Sequence, residues 1–186
     1  MDERLFRAAL GLPQYGPKPG DTIAVWFSCG AASAVAAMLT IRLYGHYCNI
    51  RIINNPVIEE GWDNRRFLHD VEKWLGVQIE IATHKNFPFA SASEVWERRK
   101  YMAGIDGAPC TSFLKKGARQ QWEQENSVEW HVLGFHAGER KRHEKFVALE
   151  RSNVLPVLIE CGFTKELCAR EIYFAGIELP LAYKLG

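Results

Sequence analysis

The sequence predicts an α/β fold, a Rossmann-like parallel sheet of about five strands with helices on both faces. Three observations predict it. Short apolar runs of strand length recur along the 186 residues. Segments with helical spacing of apolar residues separate them. The first strand-to-helix turn consists of six small residues: Ser28, Cys29, Gly30, Ala31, Ala32 and Ser33.

The elements follow in order. Residues 1–20 read as an N-terminal arm: Leu5, Phe6, Ala9 and Leu10 give a short amphipathic piece, and GLPQYGPKPG after it is rich in Gly and Pro. Residues 21–186 read as one domain, because no repeat, low-complexity run or linker interrupts them. TIAVWF (22–27) is a continuous apolar strand. Residues 32–44 follow as a helix, with Ala36, Ala37, Leu39 and Ile41 available for burial. NIRIIN (49–54) is the second strand. WDNRRFLHDVEKWLG (62–76) is an amphipathic helix with Phe67, Val71, Trp74 and Leu75 on one face and Gly76 as its stop. VQIEIA (77–82) is the third strand, and residues 93–102 and 111–125 are helical. VEWHVLGF (128–135) is the fourth strand, with a charged helix over 138–151. VLPVLI (154–159) gives a short fifth strand, and residues 164–175 a last helix capped by Thr164. Strands alternating with helices imply crossover units, so ligands are expected beyond the strands' carboxyl ends, in the turns after Phe27, Asn54 and Phe135.

Composition narrows the function. Hydrophobic residues make up 47% of the chain, as in ordinary globular domains. The net charge is +1, so bulk charge gives no argument for non-specific nucleic-acid binding, and any anion site is built locally. The five cysteines are odd in number and form no C-x-x-C pair. That argues against a disulfide framework and a simple structural zinc site, so no metal ligands are assigned. No signal-like segment opens the chain, and no apolar run nears the roughly 20 residues of a membrane helix. The expectation is a cytoplasmic protein in a reducing compartment, without a membrane partner.

The small-residue turn has a chemical reading. A loop that leaves a buried strand and opens a helix carries free N–H groups at a positive dipole end. Small side chains let an anion approach that backbone, and Ser28 and Ser33 add hydroxyls. The Walker lysine is absent, which excludes ordinary P-loop NTPase mechanics. The structural alternative is a turn whose small residues serve helix–sheet packing.

Four segments carry a family resemblance. FSCGAASAVAA (27–37) resembles the S-G-G-x-D-S pyrophosphate loop of the PP-loop superfamily, the adenine-nucleotide alpha-hydrolase-like proteins. GAPCTSFLKKGARQQW (107–122), LGFHAGERKRHEKF (133–146) and LPVLIECGFTKELCAREIYFAGIELPLAYKLG (155–186) resemble segments of its phosphoadenylylsulfate (PAPS) reductase branch. The resemblance implies a nucleotide-binding enzyme with adenine nucleotide, ATP or PAPS, as its ligand. It implies phosphate or phosphosulfate binding by Ser28, Cys29, Gly30, Ala31, Ala32 and Ser33. It places the base beside Ile53 and Asn54, with Lys116 and Gly134 completing the nucleotide site. Cys110, Arg140 and Arg142 become the catalytic candidates, the arginines suited to bidentate phosphate or sulfate contact. Each has a bland counterpart: a loop cysteine, and a charge run that is a solvated helix face.

The departures matter as much. Cys29 replaces the loop's first Gly, and Ala32 replaces its Asp, a candidate magnesium-side group. The reductases' E-C-G-x-H tail is not reproduced: Phe163 and Thr164 follow Glu160-Cys161-Gly162, which precedes the last helix. Cys161 is therefore expected to be buried near a strand end, and a thioredoxin-linked reductase is weakened. Paired cysteines for an iron–sulfur cluster are absent. Cys29 at a helix start reads either as a reactive thiol or as a small residue in a crowded loop, and Cys48 and Cys168 as inert. His136 is an acid–base candidate or a polar rim residue. Glu59, Glu60 and Asp63 read as the start of a helix. Trp62 and Trp74 fit a homodimer interface or the core. Three functions stay open. One is action on an adenylyl or sulfonyl group with an acceptor or thiol reductant as partner. The second is an ATP pyrophosphatase, adenylylating or thiolating enzyme. The third is a degenerate, non-catalytic nucleotide-binding module.

Overall fold

A computed structural model of the chain describes residues 15–102 and 108–184. Leu5, Phe6, Ala9 and Leu10 of the expected arm lie outside the described residues. At its end, Tyr15 packs edge-on against Trp130 with ring centroids 5.2 Å apart.

Five strands form one parallel sheet: β1 (Thr22–Phe27), β2 (Asn49–Asn54), β3 (Glu80–Ile81), β4 (Trp130–Val132) and β5 (Val154–Leu155), in the order β3-β2-β1-β4-β5. The chain winds outward from β1 to β3, then crosses to build β4 and β5 on the other side. The strand order thus reverses between β1 and β4, the kind of switch point beside which parallel sheets bind ligands at the strands' carboxyl ends.

Alternation along β1 explains the layers. Ile23, Val25 and Phe27 face the main core, and Ala24 and Trp26 face a second one. Both sets are buried, as in a parallel sheet covered on both faces. The main core is closed by α1 (Ala31–Tyr44), α2 (Asp63–Leu75), α6 (Val157–Glu160) and α7 (Lys165–Phe174), the elements that supply its buried apolar residues. Helix α1 packs on α6 and α7 as well as on the sheet, which is why it is apolar on nearly all sides. Gly76 ends α2 at φ 65°, a left-handed position glycine adopts without a Cβ penalty. Thr164 caps α7 by accepting from Leu167 N at 3.3 Å.

The second core lies under α4 (Ala118–Glu125), where Trp26 meets Trp122 edge-on at 5.4 Å and Arg119 sits 4.8 Å over Trp26. There Trp26 Nε1 donates to His131 Nδ1 at 3.1 Å. Burial first, then the Arg151 and Arg119 charges, push His131 down to about 3, so its ring is neutral at physiological pH. A third apolar cluster, with Phe87, Ala92, Val95 and Leu114, joins α3 (Ala92–Arg99) to a π-helical stretch, Thr111–Gly117, that runs directly into α4.

Several expectations change in detail. The third strand is only two residues long, because Val77 and Gln78 serve the turn after α2; Val77 N bonds back to Glu72 O. The fifth strand stops at Leu155, since Pro156 has no N–H for a ladder and starts α6 instead. The fourth strand ends at Val132, and α5 (Arg140–Leu149) follows a 3-10 turn, Ala137–Glu139. Cys161 is exposed rather than buried, because it closes short α6 at the surface. Glu59 and Glu60 do not open α2; they lie on a separate 3-10 turn, Ile58–Glu60.

Candidate functional site

The 28–30 loop turns the chain from β1 into α1. Cys29 carries the reversal at φ 56°, the left-handed region. For a residue with a Cβ this costs about 1–2 kcal/mol. Gly30 then caps α1 in an extended conformation. Ser33 gathers the loop: its Oγ accepts from Ser28 N at 3.1 Å and Gly30 N at 3.3 Å, and donates to Gly30 O at 2.9 Å. Ser28 Oγ lies 3.3 Å from the same atom, on an exposed residue. The two serines thus hold a shallow bowl of backbone amides at the start of α1.

Two neighbours shape this bowl from below and beside. Asn54, buried at the end of β2, donates through Nδ2 to Phe27 O at 2.8 Å and approaches Cys29 Sγ at 3.5 Å. Gly134, just past β4, runs against the first turn of α1. A Cβ there would lie 3.0 Å from Ser33 N and 3.2 Å from Ser33 Cα, both backbone atoms. Only glycine lets the β4 exit pass so close.

Beside the bowl lies a cavity of about 530 Å³, within the roughly 300–1,000 Å³ usual for small-molecule and cofactor sites. Cys29, Asn54 and Ile81 line it, with Pro56, Val57, Ile58, Glu60, Gly61 and Trp62 forming one wall and Asn64, Arg65, Leu68 and His69 of α2 another. Trp62 stands 75% exposed at its rim, free to lie against a planar group. Glu60, also on the wall, pairs with Lys115 from the π-helical stretch. Burial first, then the Glu60 charge, push the Cys29 thiol up to about 12 against the opposing pull of Lys115 and Asn54. Cys29 is therefore a packed thiol, not a thiolate. Cys48 and Cys168 are likewise buried and raised to about 11 by burial and nearby acidic groups.

The wall is fastened from outside. Glu59 accepts from Ala92 N (2.8 Å), Ser93 N (3.1 Å), Ser91 Oγ (2.9 Å) and Ser93 Oγ (2.9 Å) at the start of α3. Burial would raise its carboxyl, but these four donors prevail and hold it at about 2.

The structure brings Ser28, Cys29, Gly30, Ala31, Ala32, Ser33, Asn54 and Gly134 together. Ile53 faces the second core, fully buried, and does not reach the cavity. Cys110 is half-buried; it and Val57, a cavity residue, pack against the same apolar cluster. Lys116 points to Glu150 at 3.4 Å, while its neighbour Lys115 pairs with Glu60 of the cavity wall. Arg140 is exposed and forms no ion pair among the described residues. Arg142 bonds Glu139 at 2.5 Å and lies 5.5 Å over the Phe135 ring. His136 caps the 3-10 turn by accepting from Gly138 N and faces Glu139 at 3.4 Å. Trp74 packs against the main core. Among the described residues, no three His, Cys, Asp or Glu side chains converge as metal ligands, and no helix is long and apolar enough to cross a membrane.

Sequence reasoning missed Lys115, Trp62, Glu59 and Tyr183 as parts of this site. The last of these accepts from Ala31 N at 3.0 Å. Trp62 opens the predicted 62–76 helix and Lys115 stands beside Lys116, so each had a local signal; the partners of Glu59 and Tyr183 lie too far along the chain to give one.

No protein-family model and no curated protein matches the chain. Solved structures do. The PAPS reductase of Candida auris, solved as a phosphate complex, superposes with a TM-score of 0.60 at 14% identity, covering 99% of this chain and 83% of that one. The chain shares the α/β, Rossmann-like fold of this reductase. A tRNA thiolase from Methanococcus maripaludis, solved with its [4Fe-4S] cluster, superposes with a TM-score of 0.62 at 14% identity. The alignment covers 97% of this chain but only 65% of the thiolase.

Proposed function

We propose that this chain binds an adenine nucleotide, ATP or PAPS, and acts on its adenylyl or sulfonyl group. One observation carries the reading: the amide bowl at the start of α1 and the 530 Å³ cavity share Cys29 and Asn54, so they form one continuous site. The phosphate or phosphosulfate chain lies on the amides and hydroxyls of Ser28, Gly30, Ala31, Ala32 and Ser33, where the helix dipole favours negative charge. The base enters the cavity against Trp62. Arg65, which lines the cavity, and Lys115, which pairs with Glu60 on its wall, are the cations proposed to meet charge developing on a departing group, a role of electrostatic stabilisation. Cys110, on the same helical stretch as Lys115, is the thiol candidate. The acceptor is a thiol reductant or a nucleophile from a second substrate. Where ATP is the ligand, magnesium accompanies it as its usual counter-ion.

Product analysis separates the two chemistries. Sulfite released from PAPS with a dithiol reductant identifies sulfonyl transfer. Pyrophosphate released from ATP with magnesium identifies adenylyl chemistry. Nucleotide binding without either product identifies a binding module. Failure to bind any of these nucleotides overturns the site.

A further inference from the structure

We propose that the Tyr183 hydroxyl is an intramolecular stopper of the amide bowl, competing with an incoming phosphate group for Ala31 N; this rests on the nucleotide reading above. Ala31 N belongs to the first turn of α1, whose amides have no partner inside the helix. It donates instead to Tyr183 Oη at 3.0 Å. The neighbouring donors are used internally too, Ser28 N and Gly30 N both on Ser33 Oγ. Three of the bowl's amides, Ser28 N, Gly30 N and Ala31 N, thus have partners within the protein, and an anion that takes Ala31 N must displace the Tyr183 hydroxyl.

The placement of Tyr183 is built from several contacts. Gly30 lies directly beside it: a Cβ at Gly30 would stand 3.4 Å from Tyr183 Oη, in ordinary contact. The 3-10 turn Leu181–Lys184 is fastened to the start of α2, where Leu181 N donates to Asp63 Oδ2 at 2.7 Å. Arg66 donates to the carbonyls of Glu178 (3.1 Å) and Leu179 (3.4 Å) in the approach to that turn. Asp63 and Arg66 follow directly on Trp62, the cavity's rim. The same helix start therefore holds both the base-side wall and the stopper.

The balance favours release by a real ligand. Tyr183 is 40% exposed and offers the amide one neutral acceptor. A phosphate offers charge-assisted bonds to the same amide, roughly twice as strong. Filling the site frees the hydroxyl, so the 181–184 turn reports and opposes occupancy.

The test compares the 186-residue chain with Tyr183→Phe, which keeps the ring and removes the hydroxyl. Inorganic pyrophosphate and ATP are titrated into each by calorimetry, after circular dichroism confirms the fold. The stopper predicts roughly three- to tenfold tighter binding by the variant, the worth of one neutral hydrogen bond. Tyr183→Ala, which removes the whole ring, is the second variant and carries the same expectation. Equal or weaker binding by both variants, with the parent chain binding, overturns the stopper and leaves the nucleotide site standing. Absence of binding by all three proteins overturns the nucleotide reading, and the stopper with it.

Discussion

The Asn54 side chain crosses from β2 to β1 and donates to the carbonyl of Phe27 at 2.8 Å, opposite which it sits in the parallel register. This bond is buried and stands directly before the left-handed turn at Cys29, so it fixes the point from which the amide bowl departs. Asn54→Ala is expected to lower unfolding stability by about 1–3 kcal/mol, the cost of an unmade buried hydrogen bond. Urea unfolding at neutral pH measures it. A loss confined to a few tenths of a kcal/mol would show that water replaces the amide and that the turn holds itself.

Cys29 gives two linked expectations. At φ 56° glycine is the easier residue, so Cys29→Gly should be more stable than Cys29→Ala by about 1 kcal/mol. Its thiol, near 12, is ionised to an extent on the order of one part in ten thousand at pH 8. Brief iodoacetamide treatment followed by peptide mass spectrometry should modify exposed Cys161 well ahead of Cys29, although burial and Glu160 raise the Cys161 thiol too. Early labelling of Cys29 would show an open, reactive loop.

Glu59 predicts an acid limb in stability. Its carboxyl lies at about 2 in the folded chain against an ordinary 4.5, so the folded state binds fewer protons. The stability it contributes is complete above about 4.5 and is lost as pH falls through about 2. Glu59 is exposed, so solvent keeps the effect modest. Glu59→Gln should cost about 1 kcal/mol at pH 7, as for other helix-cap exchanges. It should also flatten the fall of urea midpoints between pH 4.5 and 2, within the range of the shift. Parallel pH profiles of the two proteins would remove Glu59 as the fastening of the cavity wall.

Gly134 tests the close approach of the two loops. In Gly134→Ala the new methyl meets the Ser33 backbone, which cannot rotate away. The first turn of α1 must shift, at a cost of about 1–3 kcal/mol. A thermal melt and a nucleotide titration on the same sample should show both lower stability and at least tenfold weaker binding. A variant that matches the parent chain in both would mean that α1 yields freely and that the bowl's shape is not set by β4.

The local parts of the fold were legible in the sequence. The run from Thr22 to Phe27, the small residues after it, Gly76 and Thr164 act on neighbours within a few positions, and pattern reading reaches that far. The short strands were overestimated because β3 and β5 lie at the sheet's edges. There pairing with one neighbour ends where a turn or Pro156 begins. The resemblance points to Lys116, but the Thr111–Gly117 segment is π-helical. Its wider turn rotates the side chains relative to an α-helix and brings Lys115 to Glu60. Glu59 and Tyr183 act across 33 and 152 residues, respectively. No sequence spacing encodes such pairings; the topology brings them together.

The central claim is that the bowl and the cavity together hold an adenine nucleotide. Calorimetric titration with ATP, AMP, 3′-phosphoadenosine 5′-phosphate and PAPS, each with and without magnesium, tests it most directly. The account predicts saturable one-to-one binding of at least one of the four. Preference for PAPS and its product points to sulfonyl chemistry, and magnesium-dependent preference for ATP to adenylyl chemistry. No measurable heat with any of the four would contradict the account.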